Sequence, residues 1–120
     1  MNKIVNLTPA QLAERLRAGS VTLIDVREAH EHHDERIEGA LHMPLSNFNP
    51  AAIPQDPQKP VVFHCARGGR SADAVGRCQQ AGLTINTHLA GGIGAWTSSG
   101  LPTLRAPRKP GLLARLFGGR

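Results

Sequence analysis

The chain of 120 residues has only two cysteines, Cys65 and Cys78. No disulfide framework can be built from them, so the fold must rest on an apolar core. The 40% of hydrophobic residues suffices for one domain of this size. No run approaches the roughly 20 apolar residues of a membrane span. The opening Met1-Asn2-Lys3-Ile4-Val5-Asn6 lacks the long apolar stretch of a secretion signal. Two reduced thiols without such a signal are expected of a cytoplasmic protein. Aromatic residues are scarce too. Outside residues 105–120 only Phe48, Phe63 and Trp96 occur, and they form no stacking platform for nucleic acid. No internal repeat is present.

Acids are missing from particular places. Residues 1–104 hold nine Lys/Arg and nine Asp/Glu, and so balance. Residues 105–120 hold Arg105, Arg108, Lys109, Arg115, Arg120 and no acid, so the whole net charge of +5 sits there. A neutral body argues against nucleic acid as a partner of the domain. After position 58 the only acid is Asp73. The half that carries Cys65 is therefore electropositive and suits an anionic substrate. The expected division is one domain over residues 1–104 and a basic tail over 105–120, with residues 107–110 as linker. Residues 112–117 are apolar and basic. A frayed tail is the plain expectation, and peripheral membrane or protein contact the alternative.

Thr8 caps a helix with Pro9 at its first position and Gln11 completing a capping box. Leu12, Ala13 and Leu16 form its apolar stripe and Gly19 its stop. Residues 21–24 read as a buried strand ending at Asp25, residues 27–38 as a solvated charged segment, and 40–43 as a short strand. Four prolines (Pro50, Pro54, Pro57, Pro60) make 49–60 a loop. A strand over 61–64, a helix over 71–80 ended by Gly82, β character over 84–89 and a short helix over 93–98 complete the order. Strands alternating with helices predict an α/β domain with a mostly parallel sheet. Sites in such sheets form at the carboxyl ends of strands, where Cys65 falls.

The run Cys65-Ala66-Arg67-Gly68-Gly69-Arg70-Ser71 places a thiol in a tight loop ahead of a helix. Backbone N–H groups and the positive helix end both favour thiolate. Gly68 and Gly69 permit the backbone angles of a tight cradle, including positive φ. Asp73, expected in the first helical turn, suits the helix dipole and partly offsets the positive field. One of Arg67 and Arg70 can meet an incoming anion while the other braces the loop. The spacing is Cys, four residues, Arg. It is one residue shorter than the cysteine phosphatase pattern, and fits a terminal sulfur better than a tetrahedral phosphate.

Four segments together resemble the rhodanese-domain proteins, the single-domain thiosulfate sulfurtransferases, over roughly residues 6–103. They are the cysteine loop, Leu23-Ile24-Asp25-Val26-Arg27, the stretch from Ile37 to Pro44, and Leu89-Ala90-Gly91-Gly92-Ile93-Gly94-Ala95-Trp96 with Gly100-Leu101-Pro102. Two departures occur: Glu35-Arg36 stands where the family has Gly-His, and Glu38 where it has Pro. The resemblance implies a five-stranded, mostly parallel sheet flanked by helices on both faces. It implies a double displacement in which Cys65 takes sulfur from thiosulfate or a persulfide donor. Cyanide or a thiol, a protein thiol included, then accepts it. The amides of Ala66, Arg67, Gly68, Gly69 and Arg70 would hold the persulfide, and Arg67 would meet the donor anion. No cofactor or metal is implied, and no general base if Cys65 is already a thiolate. The alternative is a non-catalytic module that uses the same fold to bind a partner or carry sulfur.

Other residues receive plainer expectations. The resemblance implies that Asp25 and Arg27 are a structural pair rather than catalytic residues. Cys78, mid-helix, packs in the core. His30, His32 and His33 lie in a solvated turn, since adjacent histidines rarely share a face. His64 precedes Cys65 on a strand and so points to the opposite face.

Overall fold

The computed structural model describes residues 3–107. Its centre is β5 (Val61–His64), whose four residues are all buried. Such a strand needs cover on both faces. Five parallel strands form the sheet, in the order β1 (Val5–Leu7), β6 (Thr87–Leu89), β5, β2 (Thr22–Asp25), β4 (Leu41–His42). The expected five-stranded parallel α/β architecture is the one observed.

Side-chain alternation sends Leu7, Leu23, Val62 and Leu89 to one face. There they meet Leu12 and Ala13 of α1 (Pro9–Arg17), and Ile93 and Trp96 of α4 (Gly92–Ser98). Ile24, Val61 and Phe63 point to the other face, against Ala74, Val75 and Cys78 of α3 (Gly69–Gln80). Phe63 is fully buried, with Phe48 edge-on at 5.7 Å. Burial of this ring contributes about 2 to 3 kcal/mol. Local signals set the helix ends. Thr8 Oγ1 accepts from the Gln11 amide at 3.1 Å, and Gln11 Oε1 accepts from the Thr8 amide at 2.9 Å. Gly19, just past α1, takes φ +65.

The charged segment 27–38 departs from expectation. It is solvated only in part: His30, His33, Asp34 and Glu38 are exposed, but it holds α2 (Ala29–Asp34) and β3 (Glu35–Arg36), and Arg27 and Ile37 are buried. Arg27, Glu28, Glu31 and Glu35 are bonded to side chains elsewhere in the chain, which composition does not reveal. β3 pairs antiparallel with β7 (Leu104–Arg105), and the Ala106 amide donates to the Asp34 carbonyl at 3.0 Å. Arg105, placed in the tail by its charge, is thus hydrogen-bonded to the body. The expected linker beyond Pro107 and the piece over 112–117 lie outside the described residues. Of residues 84–89 only the last three are strand. Among the described residues no helix is long and apolar enough to cross a membrane.

Candidate active site

Cys65 follows directly on β5 at the carboxyl end of the sheet. Its sulfur is met by backbone donors: the Gly68 amide at 3.1 Å and the Ser71 amide at 3.3 Å. The Ser71 hydroxyl lies 3.5 Å away. Burial raises the thiol pKa, but the Ser71 hydroxyl and the Ser71, Gly68 and Arg67 amides outweigh it, and the net direction is down. Gly68 makes this turn possible with φ +114, a value that disfavours any side chain. Gly69 needs no such freedom. It opens α3 with helical geometry, contrary to the expectation that both glycines supply it.

The loop is fixed from beneath by α4. The Ile93 amide donates to the Cys65 carbonyl at 2.9 Å, and the Gly94 amide to the Ala66 carbonyl at 3.1 Å. Ala66, expected among the cradle residues, thus contributes a carbonyl to the brace. Gly92 permits this contact. A Cβ there would sit 2.4 Å from the Cys65 carbonyl oxygen.

The two loop arginines divide their roles. Arg70 makes a two-pronged bond to Glu31 of α2, at 2.7 and 2.9 Å. Arg67 is exposed, with no side-chain partner among the described residues. Asp73 lies one turn further along α3 than expected and pairs with Arg77 at 3.3 Å.

Beneath the loop, Asp25 is buried and bonded to Arg27 through Nη2 at 2.8 Å and Nε at 3.0 Å. Arg27 also donates to the Glu35 carbonyl at 2.6 Å. These contacts make the pair structural, as expected. Burial opposes the Asp25 charge, but Arg27, His64 and His32 overcome it and hold the carboxyl at about 2. His32 is not free in a solvated turn. Its Nδ1 meets Asp25 Oδ2 at 2.9 Å and its ring stacks on His42. His33 is exposed. Among the described residues no three His, Cys, Asp or Glu side chains are grouped to hold a metal. His64, on the face opposite Cys65, directs Nδ1 to the Cys65 carbonyl at 3.3 Å and Nε2 toward Asp25 at 3.8 Å. Cys78 is buried in the core, and burial pushes its thiol up to about 11.

Sequence reasoning missed Ser71 as a site residue, and with it His88 and Asn6. His88 Nδ1 is 2.7 Å from Ser71 Oγ, and Nε2 is 2.7 Å from Asn6 Oδ1. Ser71 follows the loop arginine directly, which is the one available signal. Asn6 and His88 meet only because β1 lies beside β6.

Comparison with known proteins places this arrangement. The family model for the Rhodanese-like domain matches residues 8–99. An uncharacterized protein of Synechocystis is 37% identical over 106 residues, covering 88% of this chain. The chain spans only 59% of that protein's length. A sulfurtransferase of Allochromatium vinosum is 36% identical over 94 residues, covering 76% of this chain and 86% of that protein. A rhodanese-related protein of Thermoplasma volcanium superposes with a TM-score of 0.71 at 31% identity, covering 86% of this chain and 98% of that one.

Proposed function

The chain belongs to the rhodanese-like domain family, and on that premise we propose that it transfers sulfane sulfur through a persulfide on Cys65. The observation that carries this is the pair of amides, Gly68 and Ser71, at 3.1 and 3.3 Å from the sulfur. They favour the nucleophilic thiolate and offer donors to a terminal sulfur carried on it.

In the first half-reaction the Cys65 thiolate attacks the outer sulfur of thiosulfate. The S–S bond of the donor breaks, sulfite leaves with the bonding pair, and Cys65 holds a persulfide. Arg67 meets the anionic donor at the rim. In the second half-reaction cyanide or a thiolate attacks the terminal sulfur and restores the Cys65 thiolate. A persulfide donor fits the first step equally, with a thiolate as leaving group. The small cradle and its positive surroundings support a small anionic donor, and a protein thiol is a fitting acceptor.

Incubation with thiosulfate followed by intact mass measurement tests the reading. A gain of one sulfur atom, removed by cyanide and absent from Cys65→Ala, is expected. No gain with thiosulfate or with glutathione persulfide would overturn it.

A further inference from the structure

Sulfur transfer by a thiolate requires the Cys65 proton to leave, and a role for its acceptor rests on that proposed function. Ser71 Oγ stands 2.7 Å from His88 Nδ1, 3.1 Å from the Gly68 carbonyl and 3.5 Å from the Cys65 sulfur. One hydroxyl proton must serve these three neighbours. The far end of the imidazole decides among them. Nε2 faces Asn6 Oδ1, an oxygen that only accepts, so Nε2 carries the ring proton. While Cys65 keeps its proton, burial holds the His88 ring neutral and leaves Nδ1 as an acceptor. Ser71 then donates to Nδ1, and its oxygen is open to the S–H of Cys65.

The geometry points to His88 as a positioning residue that takes up the Cys65 proton through Ser71. The transfer balances within three side chains. The S–H bond breaks as its proton passes to Ser71 Oγ, and the original Ser71 proton passes to His88 Nδ1. A thiolate, an intact hydroxyl and an imidazolium result. The hydroxyl now donates to sulfur and joins the Gly68 and Ser71 amides, while Nδ1–H donates to the Ser71 oxygen.

No carboxylate or cation pairs with His88 among the described residues. Asn6 from β1 and Ser71 from α3 are its polar contacts. The charge that acts on the sulfur is that of Arg70, itself held by Glu31. His64 lies on the other face of β5. A bond that merely tied β1, β6 and α3 together would give the ring no proton to gain as Cys65 ionises.

The test is the rate of Cys65 alkylation by iodoacetamide as a function of pH, monitored by peptide mass so that Cys78 is counted apart. It reads thiolate whether or not sulfur is transferred, so failure here is separable from failure of the proposed function. His88→Gln keeps a hydrogen-bonding side chain that cannot be protonated. Its midpoint is expected to rise, with a rate below the midpoint reduced about tenfold, the effect of one pKa unit. Asn6→Asp sets a carboxylate against Nε2–H and makes the ring more basic, so its midpoint is expected to fall. Asn6 is exposed, so this variant keeps the test open if His88→Gln does not fold. A profile that superposes on the parent's, in Asn6→Asp or in folded His88→Gln, overturns the assignment.

Discussion

Arg70 and Glu31 meet edge to edge, Nη1 to Oε1 at 2.7 Å and Nη2 to Oε2 at 2.9 Å, although 39 residues separate them. The Arg70 hydrogen bond is the main reason the Glu31 carboxyl sits at about 2, so the pair persists through the neutral range. The guanidinium is therefore directed to α2, which it pins beside the cysteine loop. Arg67 is the loop cation left free to meet a donor.

Arg67→Ala is accordingly expected to weaken capture of an anionic donor without touching the fold. Steady-state assays with thiosulfate should show kcat/KM lower by about tenfold, mostly through KM, the size of one lost charge-assisted contact. Glu31→Gln should cost less than about 1 kcal/mol of stability, because the pair is partly exposed. An unchanged KM in Arg67→Ala would assign donor binding elsewhere.

Gly92 and Gly69 give opposite expectations from the same substitution. Gly92 has φ +62, and an added Cβ would meet the Cys65 and Ala66 backbone at 2.4 to 2.6 Å. Gly92→Ala must displace the loop, and should cost more than about 2 kcal/mol while lowering sulfur loading. Gly69 has open space around its Cβ position and helical geometry. Gly69→Ala should be neutral or stabilise by about 0.5 kcal/mol. Thermal melts and intact mass after thiosulfate treatment measure both.

The range of each interaction decides whether the sequence discloses it. The α1 cap rests on residues three apart, and the cysteine loop on six, so both are legible as short patterns. Chain order conceals the rest. Asn6, Ser71 and His88 converge because β1 and β5 flank β6. Segment 27–38 reads as solvated when its charges are counted without partners. Arg27 is buried with Asp25 and the Glu35 carbonyl to receive it, and Arg105 joins the body by strand pairing with Glu35, whose carboxylate also accepts from it at 3.2 Å.

Cys78 separates packing from chemistry. Its buried thiol has a pKa raised to about 11, so it is un-ionised at neutral pH and lies in the cluster with Val75 and Phe63. Cys78→Ala should lower stability by about 1 kcal/mol and leave sulfur loading intact. Denaturant titration beside the intact-mass assay checks this. Loss of loading in a folded Cys78→Ala would make it part of the relay.

The buried ionisable groups fix how stability varies with pH. Burial lowers the His64 and His88 pKa values below the ordinary 6.5. A group whose folded pKa is depressed stabilises fully above its unfolded pKa, and that contribution falls away as pH drops. Stability should therefore begin to decline below about pH 6.5 as the unfolded chain takes up protons on these histidines. Asp25 adds a second stage. Its carboxyl sits at about 2 against an ordinary 3.8, so its contribution is whole above 3.8 and lost as pH falls through 2. The difference corresponds to about 2 kcal/mol. Urea midpoints from pH 7.5 to 2.5 should thus fall in two stages. A curve level from pH 6.5 to 4 would show that His64 is not held neutral by burial. One level below pH 4 would show that Arg27, His32 and His64 do not hold the Asp25 charge.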